Sequence, residues 1–347
     1  MTIPLPVELI GSPGSPYTRK MLALLRYRRI PHHIIWGDVT AQLQQRGIEV
    51  PKLVFLPTFI YEDSAGKRVP RSDSTPIIRE LEQAVSGRSV LPADPALAFI
   101  DYLLEDFADE WCTRYMFHYR WYFDEDADNA GSLLPIYHDV TLPTESWNQF
   151  KSTFTRRQVG RLRYVGSSDE TAALIDASYR RLLQALENHF AELPFLLGRR
   201  PGAADFALFG QFSQLLGVEP TSRAIAHQLS MRTVGWMGLT EDLSGLEPLQ
   251  EDWQSPEALP GSIRGVLAEV GRVYAPALLA NAEAVAAGEK HWRTRIDGDI
   301  WSQQSFPYQA KCLRWINEEY RALGDGDRER VDALLAGTGC EQIILSN

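Results

Sequence analysis

Ser15-Pro16-Tyr17-Thr18, preceded by Val7-Glu8-Leu9-Ile10-Gly11-Ser12-Pro13-Gly14 and followed by Arg19-Lys20-Met21-Leu22, decides how the rest of the chain is read. A short apolar run ends in Gly, Ser and Pro, and a helical pattern starts at once, so the reading is strand, tight loop, helix. Ser15 is a good N-cap, and Pro16 stands at the first helical position, where a missing N–H costs nothing. The geometry points the Ser15 hydroxyl and the free N–H groups of the first turn at one spot, which favours an anion such as a thiolate. A capped helix with no further role accounts for the same residues, so the rest of the chain has to decide.

Working outward, 347 residues are about twice a typical single domain, with 44% hydrophobic and 23% charged residues, ordinary values for a soluble globular chain. No apolar run approaches the ~18 residues of a membrane span. The start, Met1-Thr2-Ile3-Pro4-Leu5-Pro6, lacks a basic region followed by an apolar core, so no secretory signal is expected. Cys112, Cys312 and Cys340 have neither metal nor redox spacing; a cytoplasmic setting without metal or disulfide chemistry is the expectation. The first 90 residues hold 12 Lys and Arg against 8 Asp and Glu, the remainder 23 against 37. A basic first part suits a small anionic ligand or simply a solvated surface, and an acidic chain without a basic stripe argues against nucleic acid.

The elements follow in order. Arg19 to Arg29 reads as an amphipathic helix with Met21, Leu22, Leu24 and Leu25 on its apolar face, stopped by Pro31. His32 to Trp36 is a strand, 38–52 a loop or irregular helix, and Val54 to Tyr61 a strand interrupted by Pro57. A turn at Asp63 to Lys67 leads to a short strand near Lys67–Val69, and Ser74 caps a helix beginning at Thr75-Pro76. From Ala96, residues Phe99, Leu103, Phe107 and Trp111 recur at four-residue spacing, in a helix that continues through Tyr115, Tyr119 and Phe123. Its many aromatics make a thick core or the wall of an apolar pocket. Asp124 to Asn129 reads as a solvated acidic loop, because Asn129 and Pro135 stand where a calcium loop needs Gly and Glu, and 129–146 reads as irregular. Helices are expected over Glu170–Leu193, around 262–288 and around 306–323.

The opening turn resembles the active-site turn of thioredoxin-fold proteins, with Ser15 and Thr18 where glutaredoxins carry two cysteines. That pattern is similar to the serine-type glutathione transferases. Leu56-Pro57 resembles the cis-proline element of the fold, and Asp73-Ser74 the acidic-Ser pair that holds the γ-glutamyl end of glutathione. Phe55 departs from the basic residue often found two places before the proline. Leu193 to Ala207 is similar to the superfamily's Leu-Gly-x-x-Pro-(Ser/Thr)-x-Ala-Asp turn, with Ala204-Asp205 kept and Gly202 replacing the hydroxyl residue. The resemblance covers 7–92 and 95–217, and no family motif is recognised from Gly217 to Asn347.

The resemblance implies a thioredoxin-like α/β N-terminal domain (1–88), a linker over Ser89–Pro95, and an enlarged all-α C-terminal domain (95–347). It implies glutathione as co-substrate, with Ser15 stabilising its thiolate and Leu56, Pro57, Asp73 and Ser74 holding the tripeptide. Tyr17, Tyr115 and Tyr119 would line the site of an apolar electrophile. A cytoplasmic homodimer without metal, membrane or nucleic-acid partner is implied as well. Two alternatives stay open: a binding or assembly module on the same fold, and a glutathione-dependent redox enzyme, against which the absence of cysteine at Ser15 and Thr18 counts.

Overall fold

The computed structural model describes residues 3–345. Its N-terminal part is a four-stranded sheet in the order β2-β1-β3-β4. Strand β1 (Val7–Gly11) runs parallel to β2 (His32–Trp36) and antiparallel to β3 (Thr58–Glu62), which pairs antiparallel with β4 (Arg68–Arg71). Helices α1 (Pro16–Tyr27), α2 (Val39–Gln45) and α3 (Ser74–Ala84) connect and cover the strands. Successive strand residues face opposite ways: Leu9 and Phe59 enter the main core with Met21, Leu25 and Ile77, while Ile10 and Ile60 pack with Val39, Leu43 and Ile48 on the other face.

Ser74 does not cap α3 as its sequence suggests. Asp73 holds the cap position at φ 88, a region non-glycine residues seldom adopt, and Ser74 is the first helical residue. The Ser74 hydroxyl is instead engaged by Lys20 Nζ at 3.0 Å.

The rest is mainly helical. What reads as one aromatic helix is two, α4 (Pro95–Glu110) and α5 (Cys112–Trp121), joined at Trp111. The acidic loop and irregular stretch are also helical, as α6 (Asp124–Ile136) and α7 (Thr144–Val159). Asp124, Glu125 and Asp126 lie in the first turn of α6, where carboxylates complement the helix dipole. Asp126 is fully buried and accepts from the backbone N–H of Thr221 at 3.0 Å. The chain continues through α8 (Ala172–His189), α9 (Ala203–Leu215), α10 (Pro220–Leu229) and α11 (Met231–Thr240).

Beyond these come α12 (Ile263–Glu269), a π-helical turn at Val270–Tyr274 and α13 (Ala275–Ala286). A hairpin of β5 (His291–Ile296) and β6 (Asp299–Gln304) follows, then α14 (Pro307–Ala322), α15 (Asp325–Leu335) and α16 (Glu341–Leu345). The hairpin was not expected, although Asp297-Gly298 supplies the positive φ angles, 51 and 89, of a two-residue type I′ turn. Among the described residues no helix is long and apolar enough to cross a membrane.

Helix α9 is the axis of the molecule: every residue from Ala203 to Leu215 is buried, and α1, α4 and α5 pack around it. Gly210 is required there, because a Cβ would lie 2.5 Å from the Pro16 carbonyl oxygen at the start of α1. The basic surplus of the first 90 residues is used across the domain junction. Arg19 and Arg26 pair with Glu241, and Arg29 and Arg88 with Glu247.

The start of α9 explains the missing hydroxyl at Gly202. Asp205 accepts from Gly202 N at 2.9 Å and from Leu196 N at 3.0 Å, which is half of a capping box. The other half comes from α4: Asp101 Oδ1 accepts from Ala204 N at 3.1 Å, and a Cβ on Gly202 would lie 2.2 Å from that oxygen. Restoring the hydroxyl with Gly202→Ser is expected to destabilise the fold by about 1–3 kcal/mol, because it displaces a buried carboxylate. In an Asp101→Ala background the same change should be neutral or stabilising; a double-mutant cycle by chemical denaturation reads the coupling.

Candidate functional site

The Ser15 turn lies where β1 ends. Ile10 is opposite Thr58 in the sheet, so Leu56-Pro57, a cis peptide, enters β3 beside the loop that leads from Gly11 to Ser15. Ser15 Oγ accepts from Thr18 N at 3.2 Å, and its backbone is extended, the geometry of an N-cap. Its hydroxyl hydrogen is left to donate. Pro16 has no N–H and Thr18 N and Arg19 N are taken by Ser15, so Tyr17 N is the open donor of the first turn. Thr18 is fully buried, and its Oγ1 accepts from Ser12 N at 3.3 Å, which fixes the turn from inside.

Two further side chains hold this loop and a third ties its helix to α3, and sequence reading singled out none of them for the site. Arg120 of α5 donates to the Gly14 carbonyl at 2.8 Å and to Gln214 Oε1 at 2.7 Å, and pairs with buried Glu219. Gln214 of α9 in turn donates to Pro13 O at 3.1 Å. Lys20, fully buried in α1, donates to Ser74 Oγ and is paired with Glu105 at 2.8 Å and Asp109 at 2.6 Å on α4. It thereby ties the first turn of α3, with Asp73 and Ser74, to the helix that starts at Ser15. A lysine among apolar helix positions is the only local signal that could have marked it.

Asp73 is half-buried, and its carboxylate Oδ2 accepts from the Tyr308 hydroxyl of α14 at 3.1 Å. Burial pushes the Asp73 carboxyl above its ordinary value, while that hydrogen bond and Lys20 oppose the shift. Tyr17 is partly buried and donates to the Asp109 carbonyl at 2.8 Å. Burial and the charges of Glu110 and Asp109 push its hydroxyl well above the usual value, so it stays protonated and donates.

Tyr115 and Tyr119 do not wall a second-substrate site. Both are fully buried in the core, and their hydroxyls are taken by Ser178 at 2.6 Å and by Asp176 at 2.6 Å. They point into the helical bundle because α4 and α5 break at Trp111. The α4 residues that come near are acidic: Glu110 faces both Tyr17 and Tyr308, and Asp106 faces Tyr308, both carboxylates half-buried. Burial raises Asp106 to about 7, against the Tyr274 hydrogen bond and with repulsion from Asp109 and Glu105 adding to it, and burial followed by repulsion from Asp106 and Asp109 raises Glu110 to about 8. Two surface clefts of about 410 and 420 Å³ lie on the C-terminal part, one lined by Arg163, His291 and Gln303, the other by Glu257, Arg264 and Arg330; neither includes Ser15.

A thioredoxin-like sheet carrying a Ser-capped helix and a cis-proline, joined to a helical bundle, defines a class of fold, and comparison with known families narrows it. The family profile of the glutathione S-transferase N-terminal domain matches residues 9–89, and that of the glutathione S-transferase C-terminal domain matches residues 169–249. The chain belongs to the glutathione S-transferase superfamily. The second match runs past Gly217, where recognisable motifs end, to residue 249.

Similar solved structures include a tau-class glutathione S-transferase from mango, Mangifera indica, at 18% identity and TM-score 0.40, covering 73% of this chain and 94% of that one. A glutathione S-transferase of Ceriporiopsis subvermispora, solved with glutathione, is 17% identical with TM-score 0.43, covering 70% and 98%. A maleylacetoacetate isomerase from Methylobacterium extorquens is 15% identical with TM-score 0.35, covering 70% and 98%. No curated protein matches the sequence.

The raised carboxyls give the site a pH signature. Folded values of about 7 and 8 stand above the unfolded values near 4. The stability these groups contribute is therefore complete below about pH 4 and is lost as pH rises through roughly 7–8. The melting temperature is expected to fall between about pH 5 and 9, and Glu110→Gln should flatten that fall; an unchanged slope would remove Glu110 as its source.

Proposed function

We propose that the protein binds glutathione and transfers it to an electrophilic small molecule, with Ser15 donating a hydrogen bond to the sulfur. The observation that carries the reading is the Ser15 hydroxyl, oriented by Thr18 N at the start of α1, beside the cis Leu56-Pro57 bond. A thiolate there would accept from Ser15 and sit at the positive end of the helix dipole. Leu56 would pair its backbone with the tripeptide next to Pro57, and Asp73 and Ser74 would take the γ-glutamyl ammonium and carboxylate. Tyr17, as a donor, would face the second substrate, for which an apolar electrophile is the proposed class. Residues 1–88 and 95–347 are the two domains on this reading, and the cytoplasm is the proposed setting.

Family membership supports this reading, as does the tether from Lys20 to Ser74, which holds the γ-glutamyl end and the sulfur end of the proposed site on one rigid frame. The Ser15→Ala variant should raise the pKa of the bound glutathione thiol, read by ultraviolet thiolate absorbance against pH. It should slow conjugation of a generic electrophile by roughly ten- to a thousandfold, the range for losing one oriented donor. Ser12→Ala should be mild. If Ser12→Ala abolishes turnover while Ser15→Ala leaves it intact, the donor is Ser12. If neither matters and no thiolate forms, the chain is a binding module on a transferase fold.

A homodimer is proposed as well. Leu53, Val54 and Phe55, just before Pro57, are 66%, 39% and 57% exposed, an apolar run on the first domain that a second copy would cover. Light scattering at micromolar concentration is expected to give twice the 39.2 kDa of one chain. A single-chain mass would overturn the dimer.

A further inference from the structure

Tyr308 lies 235 residues beyond Asp73, yet its hydroxyl is the side-chain donor that meets the Asp73 carboxylate, at 3.1 Å. Other cations nearby are committed elsewhere. Lys20 is spent on Ser74, Glu105 and Asp109, and Arg71 bonds Glu80 at 2.5 Å. Lys311 lies over the ring of Trp315, 4.0 Å from its centroid. A partly desolvated carboxylate needs a donor, and the C-terminal extension supplies one.

The two ends of this contact differ in freedom. Asp73 sits at φ 88 between β4 and α3, so the start of its side chain is placed by the backbone. The start of α14 is also fixed: Phe306 N donates to Asn281 Oδ1 at 2.8 Å, and Asn281 Nδ2 donates to Phe306 O at 2.9 Å, with Asn281 fully buried. The Tyr308 ring, however, is 42% exposed and meets Trp315 edge-on at 6.3 Å between centroids. The part able to move is a side chain at the surface, and its movement breaks one hydrogen bond.

We propose that Tyr308 stands in the ligand's place at Asp73, holding the carboxylate until a ligand carrying an ammonium group takes it, so that the extension weakens the binding of such ligands. The proposal rests on the glutathione reading above. A neutral O–H donor on a carboxylate yields to an N⁺–H donor, because the second bond joins opposite charges. A ligand without the ammonium has nothing to offer Asp73 and leaves Tyr308 in place. The extension thus competes with the amino end of the ligand at Asp73, and binding exchanges one donor for a stronger one.

The test is calorimetry on the full chain, wild type and Tyr308→Phe, with two ligands: glutathione and its deaminated analogue, glutaryl-cysteinyl-glycine. The ring is kept and only the hydroxyl is lost, so the variant is expected to fold; a melting curve checks this. Glutathione should bind Tyr308→Phe about tenfold more tightly, the scale of one hydrogen bond to a charged group, and the analogue should bind both proteins alike. Equal or weaker glutathione binding by the variant, with the wild type binding normally, would overturn the proposal and leave the glutathione reading standing. A gain shared by both ligands would overturn it too, since competition at Asp73 touches only the ligand that carries the amino group. If neither protein binds glutathione, the underlying reading fails and the proposal with it.

Discussion

A fully buried lysine holds the candidate site together. Lys20 Nζ has given up water and is surrounded by Glu105, Asp109 and Ser74, contributed by α4 and α3. Moving an ammonium out of water costs several kcal/mol unless its partners are in place, so the arrangement stands or falls as a unit. Burial opposes its charge, and the two carboxylates more than offset that, raising its pKa; Glu105, facing both Lys20 and Arg79, is held at about 2. Burial first, with repulsion from Glu105 adding to it, pushes Asp109 up to about 6 against the pull of Lys20. The pair of helices that would present a ligand's two ends is thus clamped to the helical domain by charge placed where water does not reach.

The C-terminal extension is part of this same body rather than an appendage. Trp301 of β6 packs on Trp111 at 5.4 Å between ring centroids. Buried Arg114 lies over both rings, donates to Val165 O at 3.2 Å and binds Gln303 of the hairpin. With Tyr274 donating to Asp106, the extension closes around the face of α4 that Tyr17 also approaches. The site therefore has a wall made of residues that family motifs do not describe.

What could be read from the sequence was local. The Ser15 cap, the Leu56-Pro57 element, the strand at His32–Trp36 and the buried helix after Gly202 each carry their signal within a few residues, and each lies where expected. The failures have local causes as well. Asp124 to Asp126 look like a loop because acids are solvated, yet at a helix start they are favourable. Ser74 looks like a cap because the donor that occupies it comes from another helix. Tyr115 and Tyr119 look like a pocket wall because aromatic periodicity does not say which partner a face will meet. Tyr308 has no sequence signal at all; only the folding of the extension brings it to Asp73.

The cap of α9 carries one further consequence. In an ordinary helix the stop and start signals are written into neighbouring residues, so a segment can begin to form before anything else is in place. Here the acceptor for Ala204 N is Asp101, 103 positions earlier in the chain. The first turn of the central helix has its full set of partners only when α4 is docked, so the docking of α4 adds to the stability of α9. A coupling between distant parts of the chain, about the 1 kcal/mol of one hydrogen bond, is thus built into a single missing side chain.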